Sequence, residues 1–391
     1  MRAKYSIVLL ALAAVTLSAD LDYTVTNTNF TISQPSALPT DDTSYLYNYN
    51  RLRLRSDYTQ DSFFATFIGD GVNYVGDDYV NSLSFDYVKL QESDTPFKTQ
   101  TTFYDYDKGM AYAKLYRLYG GYEDEHNRVV IGLQNITMGV GRLWTPTNLF
   151  NPRNTYALEP DETFGVAALS YTRHLDEMSQ VTVVASQKAD RSFKYAAVYK
   201  AYLEFADVGF DLVSSDETFM AGYELEANLG DTGIEVRSEG AYIKNNRISV
   251  YHQDTNTTQI EDVAFFQGIV GADYGFENGV TVVFEALYSS EKFAYNEVLP
   301  NLDSEVLPNL VYSQFYMGAT MSYAFNLFLD GSIVYIESFN DQNSRFISPT
   351  ATYTFNDYNT FTLGAMLQNG PSDSEFGAFG NTYYFRYELS F

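Results

Sequence analysis

Three arginines stand at alternate positions in the stretch NRLRLRS, at Arg51, Arg53 and Arg55. In an extended chain that spacing places the guanidinium groups on one face, ~6.5–7 Å apart. Such a ladder attracts and orients anionic groups. Carboxylates repeat in the same way further along. Glu224 and Glu226 alternate in FMAGYELEANL, and Glu235, Arg237 and Glu239 alternate in GIEVRSEGAYIK. Lys194 and Lys200 share one face of FKYAAVYKAYLEF. If these faces look across a common space, a cationic wall and an acidic wall set a transverse field that orients polar solutes. The same charges could instead pair with one another and brace the structure.

A second group lies in the long segment 138–162. It holds the single tryptophan, Trp144, with Arg142, Asn148, Asn151 and Arg153 around TPTNLFNP. Prolines reduce the entropy of the free chain and asparagines cap local turns. An ordered loop of this length is often functional. It is expected to fold inward as a constriction, with Arg142 and Arg153 near a solute path; the alternative is an ordered external loop or rim brace.

Catalytic chemistry is poorly represented. There is no cysteine, and the three histidines (His126, His174 and His252) fall in a turn, at a strand end and in a long loop. No serine sits in a G-x-S-x-G elbow, and no histidine pair has a metal-binding spacing. No catalytic, cofactor-binding or metal-ligating residue is assigned. With 24 Lys+Arg against 50 Asp+Glu, a net charge of −26, the chain is no partner for nucleic acid, whose phosphates demand cations.

The elements that must carry these residues follow from period two. In YLYNYNRLRLRS, Tyr45, Tyr47, Tyr49 and the three arginines share one face, and Leu46, Leu52 and Leu54 the other. Phe193, Tyr195, Ala197, Tyr199, Ala201, Leu203 and Phe205 oppose Lys194, Lys200 and Glu204. Phe219, Ala221, Tyr223, Leu225, Ala227 and Leu229 oppose Glu224 and Glu226, and Val129, Ile131 and Leu133 oppose Arg128 and Gln134. Strict alternation of this kind predicts half-apolar strands. Short connections (GDTG at 230–233, FENG at 276–279, NDYN at 356–359, HLDEMS at 174–179) have hairpin chemistry. Longer ones are expected at 138–162, 245–261, 291–310 and 369–380, mostly on the opposite side.

The N-terminus reads as an export signal over 1–19, with Arg2 and Lys4, an apolar run and small residues near Ala19. Residues 20–42 are either a periplasmic leader or an extra first strand. Beyond the signal no segment is apolar enough for a membrane helix, so a membrane role must use strands. Aromatic content is 17%, from 35 Tyr and 29 Phe, side chains suited to a water–hydrocarbon boundary. The expected fold is all-β: a transmembrane antiparallel β-barrel over 43–391, of about 18 strands within roughly two either way, with short periplasmic turns and long extracellular loops.

The chain closes on YYFRYELSF, with Tyr383, Phe385, Tyr387, Leu389 and Phe391 on one face. This resembles the C-terminal signal of Gram-negative outer-membrane barrels, which implies that the barrel-assembly machinery reads these five residues. The stretch 116–154, YRLYGGYEDEHNRVVIGLQNITMGVGRLWTPTNLFNPRN, resembles a segment of porin-like outer-membrane proteins, with Leu133 where arginine is commoner and Asn148 where aspartate is commoner. It implies no defined substrate. The expected work is passive or mildly selective diffusion of small hydrophilic solutes through a water-filled, charge-lined lumen in the outer membrane. Outer-membrane lipid and lipopolysaccharide are the expected surroundings, and a homo-oligomer is left open. A structural or adhesive barrel plugged by its loops is the alternative, followed by an outer-membrane hydrolase.

Overall fold

A computed structural model describes residues 20–36, 43–252, 254–293, 299–339 and 343–391. The expected export signal and residues 37–42 lie outside the described residues. The first strands are β1 (Asp20–Pro35), β2 (Ser44–Gln60), β3 (Phe63–Val75), β4 (Tyr104–Tyr106), β5 (Gly109–Glu123) and β6 (Asn127–Gln134). They are followed by β7 (Val166–Asp176), β8 (Ser179–Gln187), β9 (Phe193–Tyr202), β10 (Asp207–Ser214), β11 (Thr218–Asn228) and β12 (Ile234–His252). The chain ends with β13 (Thr257–Gly275), β14 (Val280–Ser289), β15 (Phe315–Ala324), β16 (Leu329–Ser338), β17 (Ser344–Asn356), β18 (Asn359–Asn369) and β19 (Thr382–Ser390).

All the strand pairs are antiparallel, and the sheet closes where β19 pairs with β1. The three-residue β4 pairs with the start of β5 on the edge opposite β3, beyond the stretch of β5 that β6 covers, while β3 pairs with β5 directly. The closed barrel therefore has 18 strands among the described residues. At the seam Thr26 to Ser33 match Ser390 to Tyr383, and the amides of Val25 and Phe391 donate to each other's carbonyls at 2.8 and 3.0 Å. Residues Asp20–Pro35 make the first stave of this ring, paired with β2 on one side and β19 on the other.

Alternate side chains point out and in, as the pleat requires. Leu46, Leu52, Leu54, Tyr195, Phe219, Leu363, Tyr383 and Phe385 are exposed on the outside, while Arg51, Lys194, Glu224 and Glu239 are buried on the inside. Every connection on one rim is short: 61–62, 124–126, 177–178, 203–206, 229–233, 276–279, 325–328 and 357–358. The other rim carries 76–108, 135–165, 290–314 and 370–381 besides several short turns.

Some expectations are corrected. The segment 245–261 is not a long loop; β12 runs through it to His252 and β13 starts at Thr257, and Asn301 clasps the backbone of Ser249 from the neighbouring loop. The alternation in FKYAAVYKAYLEF ends at Tyr202, leaving Leu203 and Phe205 in the turn. Leu133 is buried rather than outward, with the backbone of Gly165 packed against it. The connection 76–108 contains α1 (Asp77–Val80) and α2 (Leu83–Leu90), whose Tyr79 and Phe85 pack on the inward rings of Tyr47 and Tyr74.

The interior is also less uniformly polar than alternation suggests. Towards the long-loop rim the inward positions Ile243, Phe265, Val213 and Met220 form a dry cluster with loop residues Met138, Leu149, Val306 and Leu310. A second cluster joins Phe30, Ile32, Tyr45 and Tyr47 to Tyr79 and Phe85. A third joins Leu287, Tyr316, Ile336 and Phe346 to Phe376. The arginine ladder and the Glu224, Glu226, Glu235, Arg237 and Glu239 wall lie below these clusters, while Lys188, Asp216 and Glu305 form a separate ion-paired group at the long-loop end.

Candidate functional site: the charged waist of the lumen

The loop 135–165 leaves β6, crosses the interior and returns to β7, touching both charged walls. Its path is fixed first by its own turns. The Asn148 carboxamide accepts from the Asn151 amide at 3.0 Å and donates to the Asn151 carbonyl at 2.9 Å. Asn151 in turn accepts from the amide of Ile136 at 2.7 Å and donates to the Phe164 carbonyl. Two asparagines thus tie both ends of the loop together without using the barrel wall.

On the acidic wall the loop hangs by its backbone. Glu239 accepts from the amides of Val140 (2.8 Å), Gly141 (3.0 Å) and Thr147 (2.8 Å) and from the Thr147 hydroxyl (2.8 Å). Glu285 takes the amides of Arg142, Leu143 (2.7 Å) and Trp144 (3.3 Å), and Glu224 takes that of Gly139. A carboxylate buried in this way is stable only when its lone pairs are occupied by donors. Gly139 is needed there: its φ is +88°, and an added Cβ would sit 2.6 Å from a Glu239 oxygen.

Side chains complete the acidic wall. Arg142 reaches Glu226 at 3.2 Å and Glu235 at 3.0 Å, and its Nε lies 3.5 Å from Asp273. Arg237, whose side chain is fully buried, holds Asp273 at 2.9 Å, Glu235 at 3.1 Å and Glu285 at 3.5 Å. Lys200 meets Glu224 at 2.6 Å. Lys194 sits higher, donating to the Leu149 carbonyl at 3.1 Å beside the Phe150 ring.

On the opposite wall the ladder is occupied. Arg51 makes a two-pronged pair with Glu159 at 2.7 and 3.0 Å. Arg53 makes two such pairs, with Asp70 at 2.7 and 2.8 Å and with Glu162 at 2.8 and 3.0 Å. Arg55 turns to Asp57 on its own strand. Glu159 and Glu162 belong to the same loop, so the loop spans the lumen between the two walls. Burial pushes the Glu159 carboxyl up against the pull of Arg51. Burial also works on Glu162, but hydrogen bonds from Arg53 and the charge of Arg51 outweigh it and hold its carboxyl below the usual range.

A β-bulge opposite Ile68 and Gly69 turns both Tyr116 and Arg117 inward, the kind of re-aiming that bulges provide. Arg117 then donates to the Thr163 carbonyl at 3.0 Å and stacks on Tyr116, and Lys114 lies 4.4 Å from the Phe164 ring. Lys114, Tyr116, Thr163 and Phe164, together with Arg51, Arg53, Asp70, Glu159 and Glu162, line a cavity of about 120 Å³.

The structure thus brings together Arg51, Arg53, Arg142, Lys200, Glu224, Glu226, Glu235, Arg237 and Glu239 around one waist. Trp144 lies beside them, its ring 5.9 Å from that of Tyr316. Arg153 does not join: it pairs with Asp161 inside the loop, 3.3 Å away and half exposed. Sequence reasoning missed Asp70, Lys114, Arg117, Glu159, Glu162, Asp273 and Glu285. The acidic run LEPDET in a loop already suspected of entering the lumen was the available signal for Glu159 and Glu162. The others lie on strands with less regular alternation.

The outward residues Tyr383 and Phe385 are exposed on β19, with Tyr387 and Leu389 partly covered and Phe391 exposed beyond the strand. His126 and His174 meet at the short-turn rim, where the His174 amide donates to the His126 carbonyl, while His252 pairs with Glu261 at the far end of the β12–β13 hairpin. No group of three potential metal ligands occurs among the described residues.

No protein-family model and no curated protein matches the chain. Solved structures do. OccAB1 of Acinetobacter baumannii aligns with a TM-score of 0.59 at 11% identity, over 95% of this chain and 96% of that one. A BenF-like porin from Pseudomonas fluorescens Pf-5 aligns with a TM-score of 0.58 at 11% identity, over 95% and 99%. The outer membrane protein OpdK of Pseudomonas aeruginosa aligns with a TM-score of 0.53 at 8% identity, over 95% and 99%. The fold is that of these outer-membrane porins.

Proposed function

We propose that the chain is an outer-membrane channel through which small hydrophilic solutes diffuse, passively or with mild selectivity, past a charged waist narrowed by the loop 135–165. The observation that carries this reading is the closed ring with opposite faces of opposite character. In hydrocarbon every backbone group must be paired internally, and a strand structure does this only when it has no edge. The β1–β19 seam removes the edge, leucine and aromatic side chains face outward, and charged groups line the interior. A ring of this strand number is wide enough for an aqueous path. The porins with the same fold support the same location and work. A catalytic role finds no support, since the histidines are divided between opposite rims.

The inward-folded loops and their dry clusters favour a second reading, a barrel plugged by its own loops. Purified protein in planar bilayers separates the two. Discrete ohmic conductance steps are expected for the channel. A folded, inserted barrel that never conducts would leave the plugged barrel standing instead.

A further inference from the structure

Resting on the channel reading, we infer that Glu159 and Glu162 set the sign of the pore's ion selectivity: they cancel the arginine ladder and leave a pore that favours cationic solutes.

The argument is one of charge and reach. On the ladder wall five cations (Arg51, Arg53, Arg55, Lys114 and Arg117) are met on β2 and β3 by Asp57 and Asp70, which already pair with Arg55 and Arg53, and the neighbouring inward face of β1 and β19 adds Arg386 as well as Asp22 and Glu388. Such a wall would draw anions. The loop adds two carboxylates at the centre of it, each bound through both oxygens to a guanidinium. Arg53 has its Nε and both terminal nitrogens engaged, and Arg51 gives both terminal nitrogens to Glu159 and keeps only a buried Nε without a partner, so an arriving carboxylate must first displace a tethered one.

Across the lumen the cancellation is incomplete: Lys200 pairs with Glu224 alone. There Glu226, Glu235, Asp273 and Glu285 share two guanidiniums, those of Arg142 and Arg237, while Glu239 is met only by uncharged donors. The field across the waist is therefore set by carboxylates. Small solutes bearing an ammonium or guanidinium group are the class it favours, because a pore wall of one sign raises the local concentration of the opposite charge.

Reversal potentials in a KCl gradient at pH 7.5 test this. The wild-type pore should be cation-selective, and the double variant Glu159→Gln with Glu162→Gln should lower the potassium-to-chloride permeability ratio several-fold. Adding Arg51→Gln and Arg53→Gln to that variant removes equal numbers of both signs and should return the ratio to its wild-type value. Anion selectivity in the wild type overturns the inference. So does an unmoved reversal potential in the double variant, or an anion shift that persists in the fourfold one. These outcomes all require conductance steps; their complete absence sinks the channel reading first, and this inference with it.

Discussion

At the scale of single residues, the waist is held by charges that must keep their partners. Arg237 is the sharpest case. Its side chain is fully buried and bridges Asp273, Glu235 and Glu285. Removing one partner of a buried ion pair leaves uncompensated charge and typically costs about 3–5 kcal/mol. Arg237→Met should therefore destabilise the barrel by about that amount, read as a lower urea midpoint for unfolding from lipid vesicles. The surface pair Arg128–Glu123, both half exposed, should cost less than about 1 kcal/mol when broken, because water screens it. Sequence alternation placed Arg237 among glutamates, but it could not say that the arginine is buried and shared. That depends on Asp273 and Glu285, which arrive from two other strands.

At the scale of elements, the loops decide what the lumen is. The last loop, 370–381, is seated by Glu375 and Phe376. The Tyr316 hydroxyl donates to the Glu375 carboxylate at 2.8 Å, and Phe376 packs on Tyr156 of the constriction loop and on Phe346. Burial pushes the Glu375 carboxyl up to about 7, against the pull of the Tyr316 hydroxyl. A carboxyl raised on folding is bound to its proton more tightly in the docked state. Its contribution to docking is fully present below the ordinary carboxyl range near 4.5 and is lost as pH rises through about 7. The loop should thus be more protected from protease at pH 5 than at pH 8. In Glu375→Gln, which stays neutral, protection should no longer change over that interval; limited proteolysis of vesicle-embedded protein gives the comparison. A loop as well protected at pH 8 as at pH 5 in the wild type would count against it. Hairpin chemistry made the short turns legible, while the reach of the long loops was not, because their anchoring partners are far away in sequence: Glu159 lies 108 residues from Arg51 and Thr147 92 from Glu239.

At the scale of the whole molecule, the two faces of the sheet should report different solvents. The only tryptophan, Trp144, lies inside the barrel beside Tyr316, whereas Phe385 is exposed on the outer face. In vesicles with brominated acyl chains, Trp144 emission should be nearly unquenched. A Trp144→Phe, Phe385→Trp variant should be quenched strongly. Equal quenching at both positions would mean that the outer face is not the lipid face.

The sequence by itself determined the strands, their approximate number, the character of each face and the hairpin rim, because period-two alternation and turn chemistry are local properties. It also named much of the charged wall, since residues two apart on a strand share a face. Only the tertiary structure decided that Asp20–Pro35 is the strand on which β19 closes the ring, that the interior towards the long loops is dry, and that loop glutamates occupy the arginine ladder. Each of those depends on contacts between segments far apart in the chain, and the energy of a buried charge is fixed by the partner that reaches it rather than by its neighbours in sequence.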